Sequence, residues 1–171
     1  MSTTGNFADY AAALAACGSG YDDLELARVR VYKTEQYVRQ LGSTLWPEQI
    51  ANTALAVGIA AAHAGSRPLR VIDFGGGAGI HFHAACKVLP QRPQWAIAET
   101  RVMAEAARAA GLEAFDDLDM ALRHVGAADL VHSSGTLQYL PDPLGTLEAL
   151  VALNAPVFLL ARLPVAPASS E

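Results

Sequence analysis

Apolar residues recur at helical spacing through the first 64 positions and then, from Leu69 onward, gather into short runs separated by helix-period segments. The first half predicts three helices. One covers 7–17 and a second runs from about 22 to 41, divided by the breaker Gly18-Ser19-Gly20. In the second, Leu24, Ala27, Val31, Thr34, Val38 and Leu41 follow three- and four-residue steps and share one face, and Gly42 supplies a C-terminal stop. A third helix follows Pro47 and ends near Ala64-Gly65. Its stretch 50–64 is Ala-rich and falls short of the roughly 20 residues that span a bilayer, so it reads as a buried helix.

The second half alternates strands and helices, the signature of a parallel sheet with crossover helices and hence of an α/β fold. Strands are predicted at 70–74, 95–99, 113–115, 129–132 and 157–161, with helices at 80–88, 102–110, 118–125 and 143–153. The last helix is well announced, because Asp142 can cap its free N–H groups and Pro143 fits the first position, where no N–H is needed. These patterns divide the chain into an N-terminal helical extension (1–66), a sheet domain (67–163) and a polar tail (164–171).

Composition narrows the function. With 171 residues, 52% hydrophobic and 17% charged, the chain can bury a full core, and its formal charge of −5 without basic runs argues against a nucleic-acid surface. Cys17 and Cys86 form neither a metal knuckle nor a disulfide framework, and no basic residue precedes the apolar patch 10–17 as a secretion signal requires. A cytoplasmic setting is therefore the expectation, with no membrane partner.

Chemistry concentrates in Asp73-Phe74-Gly75-Gly76-Gly77-Ala78-Gly79, between the first predicted strand and its helix. Glycines there allow a sharp turn and a ligand close to the main chain. A dinucleotide fingerprint fits neither frame, because Ile80 or Phe82 would stand where a small third residue is needed, and no Gly-Lys-Ser or Gly-Lys-Thr makes a phosphate-binding P-loop.

The Asp-x-Gly-x-Gly-x-Gly arrangement resembles motif I of the class I S-adenosylmethionine-dependent methyltransferases, and the resemblance extends from about Leu69 to Arg162. It implies a Rossmann-like sheet of order 3-2-1-4-5 with S-adenosylmethionine as cofactor. It places Asp73, Phe74, Gly75, Gly76 and Gly77 around the cofactor's methionine end, Glu99 with Thr100 at the ribose, and Asp116 near the adenine. The run from Val131 to Pro143 resembles motif IV, so that Ser133 and Ser134 join the cofactor site and Tyr139 lies on the acceptor side. Together with Gly20-Tyr21-Asp22 and Glu99-Thr100, these segments look like a bacterial branch of methyltransferases of unassigned substrate, which implies a small-molecule or glycan-type acceptor.

His81, His83 and Tyr139 are the candidates for taking a proton from an acceptor. Two residues apart on a helix, the histidines point about 200° apart and cannot share a metal, so no metal site is expected. Each feature also has a plainer reading: a tight turn for the glycines, a solvated carboxylate for Asp116, strand-ending polar groups for Ser133 and Ser134, and packing for Tyr139. The family ordinarily continues past the fifth strand, so the resemblance predicts that its C-terminal strands are lacking and that the edge of 157–161 is open to a second copy or a partner. A shortened, non-catalytic cofactor-binding module acting through that partner is the alternative function.

Overall fold

The computed structural model describes residues 7–17, 20–41 and 46–163. Its centre is a five-stranded parallel sheet of order β3-β2-β1-β4-β5, formed by β1 (Arg70–Phe74), β2 (Gln94–Ala98), β3 (Ala114–Phe115), β4 (Leu130–Ser134) and β5 (Val157–Ala161). The α/β, Rossmann-like architecture and the strand order thus agree with expectation. Two strand limits differ with consequence: β2 stops one residue before Glu99, and β4 continues through Ser133 and Ser134 because both pair with β5.

Seven α-helices are described: α1 (Tyr10–Cys17), α2 (Leu24–Gln40), α3 (Glu48–Ala64), α4 (Ile80–Val88), α5 (Arg101–Ala109), α6 (Leu118–Val125) and α7 (Pro143–Ala152). Aspartates set several of the starts: Asp23, Asp117 and Asp142 each accept backbone N–H bonds in the first turn of α2, α6 and α7. Strand alternation sends Val71, Trp95, Ile97, Ala114 and Leu130 to one face, where Val57 and Ala60 of α3, Phe82 of α4 and Ala104 of α5 cover them. Ile72, Ala96, Ala98 and Val131 point the other way, onto Ala121 of α6 and Leu150 of α7. Helix α2 lies outside α4 and α5.

Helix α3 differs from the sequence reading. Only one of its faces is buried, by Ile50, Thr53, Ala56, Val57, Ala60 and Ala64, while Leu55 and Ile59 are exposed. Because α3 shares a core with β1 and packs on β4 and β5, it completes the sheet's cover although it precedes the boundary drawn at residue 66. On α2, Ala27 and Leu41 are buried as the periodicity predicts, but Leu24 is exposed. The glycine breaker at 18–19, the stop at Gly42 and the polar tail lie outside the described residues, so β5 is the sheet edge among those described.

Candidate functional site at the glycine loop

The loop after β1 is fastened on three sides. Its Gly75 N–H bonds to Ala98 O of β2 at 2.8 Å, the Thr136 hydroxyl reaches Gly75 O at 3.4 Å, and Gly77 N–H donates to Glu99 Oε1 at 3.0 Å. Two of its glycines differ in what lies around them. Gly75 (φ +74°) sits where a Cβ would come within 2.0 Å of Thr136 Oγ1, whereas Gly77 (φ +56°) faces open space. The first glycine lets the loop pack against the segment after β4. The second leaves backbone uncovered beside Glu99, as a ligand lying against the main chain requires.

Glu99 stands just beyond β2. Each carboxylate oxygen accepts one backbone N–H, Oε1 from Gly77 and Oε2 from Thr100 at 2.8 Å, so about half of the roughly four lone-pair sites of a carboxylate remain for a ligand. Burial pushes its pKa above the usual value, opposed by those two N–H bonds, while nearby Asp73 raises it and Arg30 of α2 lowers it. Arg30 therefore brings a positive charge from the N-terminal helices to the end of β2. A second bridge joins those helices to the same end of the sheet: Tyr10 OH of α1 donates to the Tyr139 carbonyl at 3.0 Å.

Asp73 takes a different place from the one that the resemblance implies. Its side chain has no exposed surface and lies beneath Gly76, where an added Cβ would meet Asp73 Oδ2 at 2.5 Å. Trp95 Nε1 donates to Oδ2 at 3.0 Å and His132 Nδ1 lies 2.7 Å from Oδ1. Burial alone would raise the pKa of Asp73, but His132, by charge and hydrogen bond, together with His81 and the Trp95 N–H, holds the carboxyl below its ordinary range. Asp73 thus supports the loop from below.

Behind Asp73 the polar chain continues across the core. Thr53 Oγ1 of α3 lies 3.2 Å from His132 Nε2, 2.8 Å from His81 Nδ1 and 3.0 Å from Gln49 O. One hydroxyl carries one proton and two lone pairs, so satisfying all three contacts sends its proton to Gln49 O and makes both imidazoles donors towards it. The five residues Trp95, Asp73, His132, Thr53 and His81 tie β2, β1, β4, α3 and α4 together in a single buried network. Sequence reasoning missed Trp95, His132 and Thr53. The available signal was a histidine inside the otherwise apolar start of β4.

The proton-accepting candidates do not converge on the loop. His81 is buried against Thr53, and burial, with His132 and Arg162 adding to it against the pull of Asp73, lowers its pKa to about 4. His83 sits beside Phe82, its pKa lowered by burial and then by Arg92 of the connector that enters β2 at the opposite end of the strands. Tyr139, in the 3-10 helix Leu137–Tyr139 that follows β4, is the exposed one of the three, at 52%.

Of the other expected residues, Phe74 packs towards α6 and α7, Thr100 begins α5 with its N–H on Glu99, and Asp116 is exposed after β3 while its neighbour Asp117 caps α6. Ser133 has no exposed surface and alternation turns it towards the α6 side; Ser134 turns to the α3 side. The hydroxyl oxygens of both are buried without a hydrogen-bond partner. Among the described residues no cluster of three or more His, Cys, Asp or Glu could hold a metal, and no helix is long and apolar enough to cross a membrane. No protein-family model matches the chain, and a search of curated proteins finds no match either.

Proposed function

We propose that the protein binds S-adenosylmethionine at the ends of β1 and β2 and transfers its methyl group to a small-molecule or glycan-type acceptor in a cytoplasmic setting. The observation that carries this reading is the pairing of Gly77, whose backbone faces open space, with a Glu99 carboxylate that keeps acceptor capacity beside it. A ribose presents two adjacent hydroxyls, and a carboxylate accepts two hydrogen bonds in that geometry. Gly75, Gly76 and Gly77 would face the methionine part, and Phe115 with Asp116 would face the adenine. Phe82 occupies the third-glycine position of one dinucleotide frame and is buried against Trp95, which disfavours a nicotinamide cofactor.

When bound, the cofactor supplies an electrophilic methyl on a sulfonium, so the chain's own task is to hold the acceptor in line and exclude water. Tyr139 is the proton-accepting candidate that this reading retains, since His81 is enclosed in the core. The same enclosure favours a second reading, a non-catalytic cofactor-binding module acting through a partner at β5, the edge strand among the described residues. Parallel calorimetric titrations with S-adenosylhomocysteine and NAD test the cofactor. Saturable binding of the first and none of the second is expected, and the reverse would overturn the proposal. Methyl incorporation from labelled cofactor into a cell extract then separates the enzyme from the binding module.

A further inference from the structure

A groove of about 580 Å³ opens between the first turn of α3 and the end of β5, lined by Glu48, Gln49, Asn52, Leu159, Ala161 and Arg162 among others. We propose that it binds a small polar acid, holding the carboxylate with Arg162 and the remaining polar groups with the side chains of α3.

Three observations converge there. Arg162 takes a left-handed backbone (φ +57°), an uncommon conformation for a non-glycine residue, and makes no ion pair with a described carboxylate. Its guanidinium lies over Gly135, where a Cβ would stand 3.1 Å from Cζ and press the guanidinium aside.

The lining also sets the rest of the ligand. A guanidinium presents a planar donor fork that matches a carboxylate. Gln49 and Asn52 add amides that donate and accept, and the Glu48 carboxylate accepts from hydroxyl or ammonium groups. An acid carrying such groups satisfies every one of these side chains, whereas a purely apolar ligand would leave them unpaired.

Position relates this groove to the loop. Gly135, under Arg162, is followed by Thr136, which packs on Gly75, so the groove lies at the same end of the sheet as the loop. The role of the acid as methyl acceptor rests on the methyltransferase reading; its binding does not.

The full chain, labelled with ¹⁵N, is titrated with succinate, glutamate and glucuronate, with glucose as the neutral control. At least one acid should saturate shifts at the amides of Ser134 and Gly135 and at Arg162 Nε, glucose should not, and Arg162→Gln should weaken the best acid at least tenfold, with Arg162→Lys in between. Silence from all three acids, equal shifts with glucose, or wild-type affinity in Arg162→Gln would overturn the proposal. Repeating the titration with saturating S-adenosylhomocysteine separates the two claims. Unchanged acid binding keeps the groove as a second site, and mutual competition overturns it. If S-adenosylhomocysteine moves neither Gly77 nor Glu99, the methyltransferase reading fails and the acid site stands alone.

Discussion

His132 Nδ1 lies 2.7 Å from Asp73 Oδ1, and neither side chain has any exposed surface. The contact joins the central strand β1 to its neighbour β4 directly beneath the glycine loop, so the loop's foundation is polar in an otherwise apolar core. Removing one member of such a pair leaves the other's polar group without its counterpart where water cannot reach. His132→Leu is therefore expected to destabilise the fold by about 3–5 kcal/mol. Asp73→Asn, which keeps an acceptor for Trp95, should cost less, about 1–3 kcal/mol. Denaturant unfolding of the three proteins checks the order, and a His132→Leu protein as stable as wild type would show that the pair carries no net stabilisation.

A pH dependence follows from His81. Its folded pKa, about 4, lies below the ordinary 6.5, so between these values the unfolded chain takes up a proton that the folded chain refuses. The stabilisation is fully present above pH 6.5 and is lost as pH falls towards 4. Between pH 7.5 and 5 this amounts to about 2 kcal/mol. Asp73 has a depressed folded pKa, so its contribution persists through this window and disappears only on further acidification. Glu99, with a raised folded pKa, binds its proton earlier in the folded state and works the opposite way at the acid end. Urea unfolding at several pH values should show a steeper loss in wild type than in His81→Gln, and parallel curves would remove His81 as the cause.

The fold was legible because its signals are local. Strands β1 and β5, helices α4 and α6 and the Asp142-Pro143 start can be read from runs, periods and caps that lie within a few residues of one another. The candidate site was legible only where a motif is continuous in sequence, as in the glycine loop. The Asp73 network draws on β1, β2, β4, α3 and α4, and Thr53 meets His132 across 79 positions, a pairing that no local pattern encodes. An aspartate at the end of β1 reads equally as ligand contact or buried support. Trp95 and His132 decide between these, and both come from other strands.

Glu99 has two tasks, and one substitution disturbs both. Each of its oxygens accepts one backbone N–H, whereas a glutamine offers only one oxygen, so Glu99→Gln leaves either Gly77 or Thr100 without its partner. The same change removes the charged acceptor proposed for the ribose hydroxyls. Binding of S-adenosylhomocysteine should weaken by about 1.5–3 kcal/mol, roughly 10- to 150-fold in Kd. Calorimetry reads this directly, and an unchanged Kd places the ribose elsewhere.

Gly75 and Gly77 separate support from binding more sharply. Both have left-handed backbones, so alanine at either costs about 1–2 kcal/mol in backbone strain. At Gly75 the new methyl also collides with Thr136 Oγ1, and Gly75→Ala should lower the melting temperature well beyond Gly77→Ala. Pairing it with Thr136→Ser removes Cγ2, which lies 2.4 Å from the added Cβ, but leaves the Oγ1 clash, whereas Thr136→Gly removes both and should recover most of the collision cost. At Gly77 nothing lies within 4 Å, so Gly77→Ala should remain folded while the methyl occupies space that the cofactor needs. Thermal unfolding and S-adenosylhomocysteine titration of the same samples give both quantities. A Gly77→Ala protein that binds the ligand as tightly as wild type would show that this glycine serves only the turn, and the ligand's approach to the loop backbone would have to be abandoned.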